Sequence, residues 1–137
     1  MSDLDLHRPG AFCWVDLAAA DAGLAQRFYA SAFGWTFRDE HVLGGHFTRC
    51  AVDGRDVGSL YPLTPAQRRH GVPSHWTPYI AVDGIDAAVR RVAACGGRQL
   101  VAPFNVPGTA RIALIEDAVG ALVGLWQPIR ASPGAHA

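Results

Sequence analysis

Residues 75–97 read HWTPYIAVDGIDAAVRRVAACGG, and this stretch decides the fold. Its first part, from Thr77 to Val82, is rich in aromatic and β-branched residues and predicts a β-strand. Its second part has apolar residues at helical spacing, after Asp86 as the predicted N-cap and before Gly96-Gly97 as the stop. The stretch therefore predicts a strand that leads directly into a helix.

The same pattern occurs once before in the chain. Phe12 to Leu17 predicts a strand, Asp21 is a good N-cap, and Gly34 ends the helix that follows. Three pairs of matching positions have the same separation along the chain: Val15 and Ile80, Asp21 and Asp86, Leu24 and Val89. A fixed separation of this kind indicates an internal repeat.

Each half then continues with more strand-like sequence. The closing segments 57–62 and 123–128 resemble each other. The separation between their glycines, Gly58 and Gly124, is one residue longer than the separation within each of the three pairs above. In the first half Asp53-Gly54 predicts a hairpin between the two strands that flank it. The other predicted strands are His46–Val52, Arg55–Leu60, Gln99–Phe104 and Thr109–Glu116. Each half therefore predicts the order strand, helix and about three strands.

Two βαβββ modules predict an α+β fold, because a single module cannot bury both its helix and its sheet. We expect the two sheets to join into a curved, cup-like, eight-stranded mixed sheet with the helices outside, and the inside of such a cup suits a small molecule. The predicted boundaries are a flexible tail (1–9), the first module (10–63), a linker (64–74), the second module (75–129) and a second flexible tail (130–137).

Composition excludes several classes of function. A net charge of zero argues against a nucleic-acid or anionic-membrane partner, and no apolar run is long enough for a membrane helix. All twelve basic residues are arginine, so the lysine of a Schiff base or a P-loop is missing. Cys13, Cys50 and Cys95 form no CxxC pair, and we expect no signal peptide. These features predict a reduced, cytoplasmic protein.

Paired βαβββ modules over residues 10–128 resemble the vicinal oxygen chelate superfamily, the group of glyoxalase I, bleomycin-resistance proteins, fosfomycin-resistance enzymes and extradiol dioxygenases. The resemblance rests mainly on residues 75–97 and on IEDAVGALVGLWQP (115–128), which looks like the closing hairpin. The chain departs from the family there, since Ala118 and Val119 stand inside a turn that is often Asp-Pro-x-Gly.

Metal-binding members of this family place His or Glu ligands on the first and last strands of each module. Transferred by the repeat, those positions fall on Phe12, Gly58, Thr77 and Gly124. Because this set offers at most one weak hydroxyl, we expect neither a metal nor another cofactor. His75 lies two residues from one position, and three roles stay open for it: a metal ligand, a base or ligand contact in the cup, or a hydrogen-bonded histidine at a loop end.

Alternation along the strands predicts which side chains face the cup. Arg49 is the candidate cation for a carboxylate or phosphate, and Phe104 opens a loop that could edge the pocket. Asp16 and His75 are weak candidates for acid–base catalysis. The predicted ligand-binding residues are Phe12, Trp14, Arg49, Thr77, Tyr79, Phe104 and Trp126, with Gly58, Leu60, Ala81 and Gly124 on the same face.

The sequence leaves three functional hypotheses open. The first is a metal-free protein that binds a small organic molecule, as bleomycin-resistance proteins do. The second is an enzyme of the lyase, isomerase or dioxygenase type, metal-independent or, with less support, dependent on a divalent metal. In the third, Trp14, Tyr79 and Trp126 are core or interface residues of a partner domain whose cup is filled. A homodimer is expected, since pairing would cover exposed sheet edges.

Overall fold

A computed structural model describes residues 8–42 and 45–129, which form eight strands and three helices. By its internal contacts the chain divides into two compact units, one from Trp14 to Thr77 and the other from the segments on either side of it. The elements are β1 (Phe12–Ala19), α1 (Ala22–Phe33), β2 (Thr36–Val42), β3 (Gly45–Val52), β4 (Arg55–Pro62), α2 (Pro65–Arg69), β5 (His75–Ala81), α3 (Ile85–Ala94), β6 (Arg98–Val106), β7 (Ala110–Glu116) and β8 (Leu122–Pro128).

The first module comprises β1, α1, β2, β3 and β4, with its strands in the order β2-β3-β4-β1. β1 and β4 are parallel, whereas β4 with β3 and β3 with β2 are antiparallel. Helix α1 begins where the Asp21 carboxylate accepts the N–H of Leu24, and it ends at Gly34, whose φ of 76° is left-handed. The buried cluster between sheet and helix contains Leu17, Ala19, Cys50 and Leu60.

The second module comprises β5, α3, β6, β7 and β8, with its strands in the order β5-β8-β7-β6. β5 and β8 are parallel, and the remaining pairs are antiparallel. The N–H of Ile85, at the start of α3, donates to the Gln127 side chain at 2.8 Å. Beneath the helix lies a buried cluster of Ile85, Ala88, Ala113, Ile115 and Leu125.

The predicted α+β class is confirmed, since both modules have the order βαβββ and a mixed sheet. The predicted hairpin at Asp53-Gly54 is also confirmed, and both residues have positive φ, as the tight turn between β3 and β4 requires. Among the described residues, no helix is both long enough and apolar enough to cross a membrane.

Four local predictions were wrong. The N-cap of α3 is Gly84 rather than Asp86. The polar run Asp39-Glu40-His41 is typical of a solvated loop in the sequence, but it lies within β2, where Asp39 and Glu40 accept hydrogen bonds from Thr48 and Arg49 of β3. The predicted linker 64–74 contains Arg68-Arg69, which the sequence suggests are in a solvated loop but which lie in the short helix α2, capped reciprocally by Thr64 and Gln67. The predicted loop 105–108 begins two residues later, since β6 extends to Val106.

The predicted face of β4 was also wrong. β1 and β4 place Asp16 opposite Ser59 and Leu17 opposite Leu60. Leu60 therefore packs under α1 with Leu17 instead of sharing a face with Asp16. Gly58 lies on the helix side as well, where an added β-carbon would stand 2.8 Å from the Val15 carbonyl oxygen. The side chains that accompany Asp16 are those of Ser59 and Tyr61.

Candidate functional site

Helix α1 packs on one sheet face of the first module, and no other helix of this module is found among the residues that the structure describes. We call the helix-free side the polar face, because aromatic side chains stand there beside charged and hydroxyl groups. Strand pairing and alternation place its members on the same side of the sheet. They are Trp14 and Asp16 from β1, Phe47 and Arg49 from β3, and Ser59 and Tyr61 from β4.

Arg49 is the centre of the polar face. Its guanidinium carbon lies 5.8 Å from the ring centroid of Trp14 and 5.2 Å from that of Phe47. Its Nε donates to Glu40 at 3.2 Å, and its Nη1 lies 3.8 Å from an Asp56 carboxylate oxygen. The hydrogen bond from Arg49 lowers the pKa of Glu40. Two carboxylates and two rings therefore hold this cation in a fixed orientation.

Asp16 and Tyr61 lie on the same side of the sheet, two positions apart in the pairing of β1 with β4. Asp16 is buried, and the neighbouring indole N–H of Trp14 donates to Ser59 Oγ at 2.9 Å. The pKa of Tyr61 is raised to about 12 by burial and, to a smaller extent, by the negative charge of Asp16. The phenol therefore remains protonated at neutral pH and can donate a hydrogen bond.

The second module also has a helix-free face, which we call the aromatic face. Tyr79 stands opposite Gly124, and Ala81 stands opposite Trp126. The rings of Tyr79 and Trp126 meet edge to face with centroids 5.7 Å apart. A β-carbon added to Gly124 would overlap the Tyr79 ring, so that ring occupies the space above the glycine. Ile112 and Leu114 of β7 extend the same face.

The remaining predicted residues have different surroundings. Thr77 is buried, whereas Phe12 and Phe104 are exposed. His75 Nδ1 lies 2.9 Å from the Pro73 carbonyl oxygen, a bond within its own loop end. Of the predicted set, Trp14 and Arg49 come together on the polar face, and Tyr79 and Trp126 come together on the aromatic face.

Sequence reasoning missed Phe47, Ser59 and Tyr61. The repeat was aligned through Gly58 and Gly124, because the segments around them share a Val-Gly motif. Strand pairing instead makes Ser59 equivalent to Trp126, because their partners on β1 and β5, Asp16 and Ala81, are matching positions of the repeat. The alignment was therefore wrong by one position on β4, and such a shift moves every side chain of a strand to its other face.

The expected metal positions do not fit a metal ion. With the corrected register, the metal-ligand position on the last strand of the first module moves from Gly58 to Val57. The valine side chain has no donor atom for a metal either. Phe12, Thr77 and Gly124 add at most one hydroxyl, and the Tyr79 ring fills the space at Gly124. Among the side chains that the structure describes, those of residues 8–41 and 47–129, no three His, Cys, Asp or Glu are grouped as metal ligands.

The profile of the Glyoxalase/Bleomycin resistance protein/Dioxygenase superfamily matches residues 12–125 of this chain. The chain belongs to this superfamily. The resemblance inferred from the repeat is therefore confirmed, and the match includes strands of both modules.

Two curated relatives match this chain over most of its length. "Putative glyoxylase CFP32" of Mycobacterium tuberculosis is 38% identical over 126 residues, which cover 90% of this chain and 48% of that protein. "Anthracycline biosynthesis protein DnrV" of Streptomyces peucetius is 34% identical over 130 residues, which cover 87% of this chain and 47% of that protein. The chain thus spans about half the length of these relatives.

Solved structures confirm the fold of this superfamily member. Methylmalonyl-CoA epimerase from Mycobacterium tuberculosis matches with a TM-score of 0.62 and 22% identity, covering 88% of this chain and 89% of the epimerase. The hypothetical protein BH1468 from Bacillus halodurans matches with a TM-score of 0.65 and 16% identity, covering 91% and 99%. At these identities the likeness concerns the fold alone.

Proposed function

We propose that this superfamily member binds a small organic molecule on its polar face without a metal ion. The observation that carries the proposal is the stack of Arg49 between Trp14 and Phe47, beside the Trp14–Ser59 hydrogen bond. Aromatic walls with a few oriented polar groups are the usual lining of small-molecule sites. The three cysteines are free thiols, which supports a cytoplasmic location, and we further propose a homodimer.

The proposed ligand is a planar aromatic molecule that carries hydroxyl or carbonyl groups. Trp14 and Phe47 offer ring surface, and Tyr61 and Ser59 offer hydroxyl groups. Arg49 already has two carboxylate partners, so a strongly anionic ligand would have to displace Glu40 or Asp56. The name of the relative DnrV, an anthracycline biosynthesis protein, is consistent with an aromatic ligand of this class.

Calorimetric titration tests this proposal with a hydroxylated anthraquinone as the aromatic probe and a small aliphatic 2-oxo acid as the comparison. We expect saturable binding of the anthraquinone and a dissociation constant about two- to tenfold higher in Trp14→Leu, since a stacking contact contributes about 0.5–1.5 kcal/mol. Trp76→Leu is the matched control, because Trp76 contacts α1 through Tyr29. An equal loss in both variants, or no binding of aromatic probes, would contradict the proposal.

An enzyme is the second candidate function, and the presence of Asp16 and Tyr61 on one face of the sheet favours it. A buried carboxylate beside a phenol whose pKa is about 12 can accept a proton from one atom while the phenol stabilises charge on another. Such chemistry suits an isomerase or lyase that needs no metal. Asp16→Asn should then abolish turnover of a bound probe without a large change in its binding, whereas Tyr61→Phe should lower turnover only in part.

Metal content separates the metal-free proposal from the metal-dependent alternative. Mass spectrometry on protein purified without chelator or histidine tag should find no stoichiometric transition metal. One tightly held ion per chain would overturn the metal-free site, and alanine variants of Asp16, His75 and His46 would then locate its ligands. The His46 variant is included because the structure does not describe the side chain of this residue.

A further inference from the structure

Two arginines face each other directly across the strands β2 and β3. In this antiparallel pair Arg38 is the partner of Arg49, and Glu40 is the partner of Phe47, so these side chains lie on the polar-face side of the sheet. Like charges directly opposite on neighbouring strands are destabilising. Two arginines in this arrangement therefore require negative charges beside them.

Glu40 and Asp56 supply these negative charges and close a ring of four charged side chains. One oxygen of Glu40 accepts from Arg38 Nε at 3.3 Å, and the other accepts from Arg49 Nε at 3.2 Å. One oxygen of Asp56 lies 3.4 Å from Arg38 Nη2 and 3.8 Å from Arg49 Nη1. Because the ring joins two arginines to two carboxylates, it has no net charge.

An irregularity in strand pairing brings Asp56 into this ring. The pairing of β3 with β4 shifts after Cys50, so that Ala51 becomes the partner of Asp56 and the register skips Val57. Without the shift, alternation from Ser59 would direct the Asp56 side chain to the helix side of the sheet. Bulges of this kind turn a side chain toward a new direction. The second carboxylate thus reaches the polar-face side through a specific local feature of β4.

The part of the ring around Arg49 is partly shielded from water. The Arg49 side chain is 20% exposed, and each carboxylate side chain is 33% exposed. The guanidinium carbon also lies within 6 Å of the ring centroids of Trp14 and Phe47. Coulomb interactions are stronger in such surroundings than between fully exposed side chains. A ligand carboxylate that approached Arg49 would therefore meet two like charges held close to the cation.

We propose that Glu40 and Asp56 are specificity-determining residues that exclude anionic ligands from the polar face. This inference rests on the proposed binding of an aromatic molecule there, and it makes the ligand class narrower. Arg49 contacts an uncharged ligand through its flat surface and its N–H groups, whereas the two carboxylates repel an anion. Specificity is often achieved by such a repulsive element. The arginine that the sequence suggests as a carboxylate or phosphate contact thus belongs to a site that selects against these groups.

Two probes with the same ring system test the proposal: a hydroxylated anthraquinone and its carboxylated derivative. Calorimetric titration measures both dissociation constants, and the wild-type chain should bind the hydroxylated probe more tightly. The variant Glu40→Gln/Asp56→Asn should bind the carboxylated probe about tenfold more tightly than the wild type does, the lower end of what a hydrogen bond to a charged group contributes. Asp56→Asn alone keeps the bond between Glu40 and Arg49 and should give a gain of about two- to threefold. This single variant carries the test if the double variant does not fold.

Two further variants assign the gain to Arg49. Arg49→Met added to the double variant should remove the gain, because the cation that binds the carboxylate is then absent. Glu116→Gln is the matched control, since it removes the carboxylate of another arginine–glutamate pair, that with Arg98 in the second module. This control should keep the wild-type ratio of the two dissociation constants.

The outcomes distinguish this inference from the proposed function. Equal affinity of the wild type for both probes, an unchanged ratio in the folded carboxylate variants, or a gain that persists without Arg49 overturns the exclusion of anions. A gain of the same size in Glu116→Gln overturns it as well. If the wild type binds neither probe but the double variant binds the carboxylated one through Arg49, the proposed function fails and the exclusion stands. If neither chain binds either probe, both proposals fail. Circular dichroism of every variant confirms that it is folded.

Discussion

The two modules share the order βαβββ but distribute their hydrophobic residues differently. In the second module apolar side chains fill both the space under α3 and the aromatic face. In the first module the helix-free face is charged, and large apolar side chains point outward from α1 instead. The repeated fold therefore requires only the buried cluster between helix and sheet, and the remaining surfaces are free to acquire separate roles.

The helix contacts should show the largest difference between the modules. Ile85 is fully buried under α3, so Ile85→Ala should lower the free energy of unfolding by about 2–5 kcal/mol. Leu24→Ala on the exposed face of α1 should lower it by less than about 1 kcal/mol in dilute protein. Urea denaturation followed by circular dichroism measures both. Equal losses would mean that α1 is packed as tightly as α3.

The two glycines Gly124 and Gly23 should respond with opposite signs. Gly124→Ala forces a methyl group into the Tyr79 ring and should cost about 1–3 kcal/mol of stability. Gly23→Ala lies in exposed helix α1, where the nearest atom would be at 3.5 Å, and should gain about 0.5–1 kcal/mol. Thermal unfolding measures both changes.

A double-mutant cycle assigns the Gly124 effect to one contact. In a Tyr79→Ala background the added methyl group has space, so Gly124→Ala should cost much less than it does in the wild-type chain. An unchanged cost would place the conflict in the backbone of β8 and not in the Tyr79 ring.

The loss of stability in acid should distinguish the Arg49–Glu40 pair from the Arg98–Glu116 pair. We expect these effects to be the smallest of the three comparisons. Hydrogen bonds from Arg49 and Arg98 lower the pKa values of Glu40 and Glu116 below the usual 4.5. Each carboxylate thus contributes stability that is present above pH 4.5 and is lost as the pH falls through its lowered pKa. Arg49→Met and Arg98→Met should therefore be less stable than wild type at neutral pH, by a margin that narrows in acid.

The difference in stability that remains between each variant and the wild type at low pH separates the two arginines further. Arg98 is 70% exposed at its side chain, so its variant should converge on the wild type in acid. Arg49 also packs between two rings, so Arg49→Met should keep an altered stability after Glu40 is protonated. Denaturant titrations at several pH values measure both variants. Complete convergence of Arg49→Met would show that its contacts with the rings contribute nothing.

The repeat could be predicted from the sequence because the residues that begin and end its helices act locally. Asp21 caps α1 through its own side chain, and Gly34 ends that helix with a left-handed φ, so both act within a few residues of sequence. Strand β2 was missed because Arg38 and Glu40 look solvated until their partners on β3 and β4 are known. Helix α2, with five residues, is too short to show periodicity.

The candidate site was harder to read because it depends on register. Alternation correctly placed Trp14 and Asp16 on one face of β1. The side chains of β4 that share this face can be assigned only when Asp16 is known to pair with Ser59. The shared Val-Gly motif favoured aligning Gly58 with Gly124. With that alignment Leu60 was predicted on the face of Asp16, where the structure has Ser59 and Tyr61. Likewise no pattern in the sequence indicates that Arg49 contacts Glu40, Asp56 and Trp14, since these three residues lie on β2, β4 and β1.

The three cysteines differ in a way that helps experiments. Burial raises the thiol pKa values of Cys13 and Cys50 to about 11, so neither forms much thiolate at neutral pH. Cys95 is exposed at the C-terminal cap of α3. A maleimide dye should therefore label the native chain at this position without any substitution. Energy transfer between donor-labelled and acceptor-labelled chains would then report subunit exchange in real time.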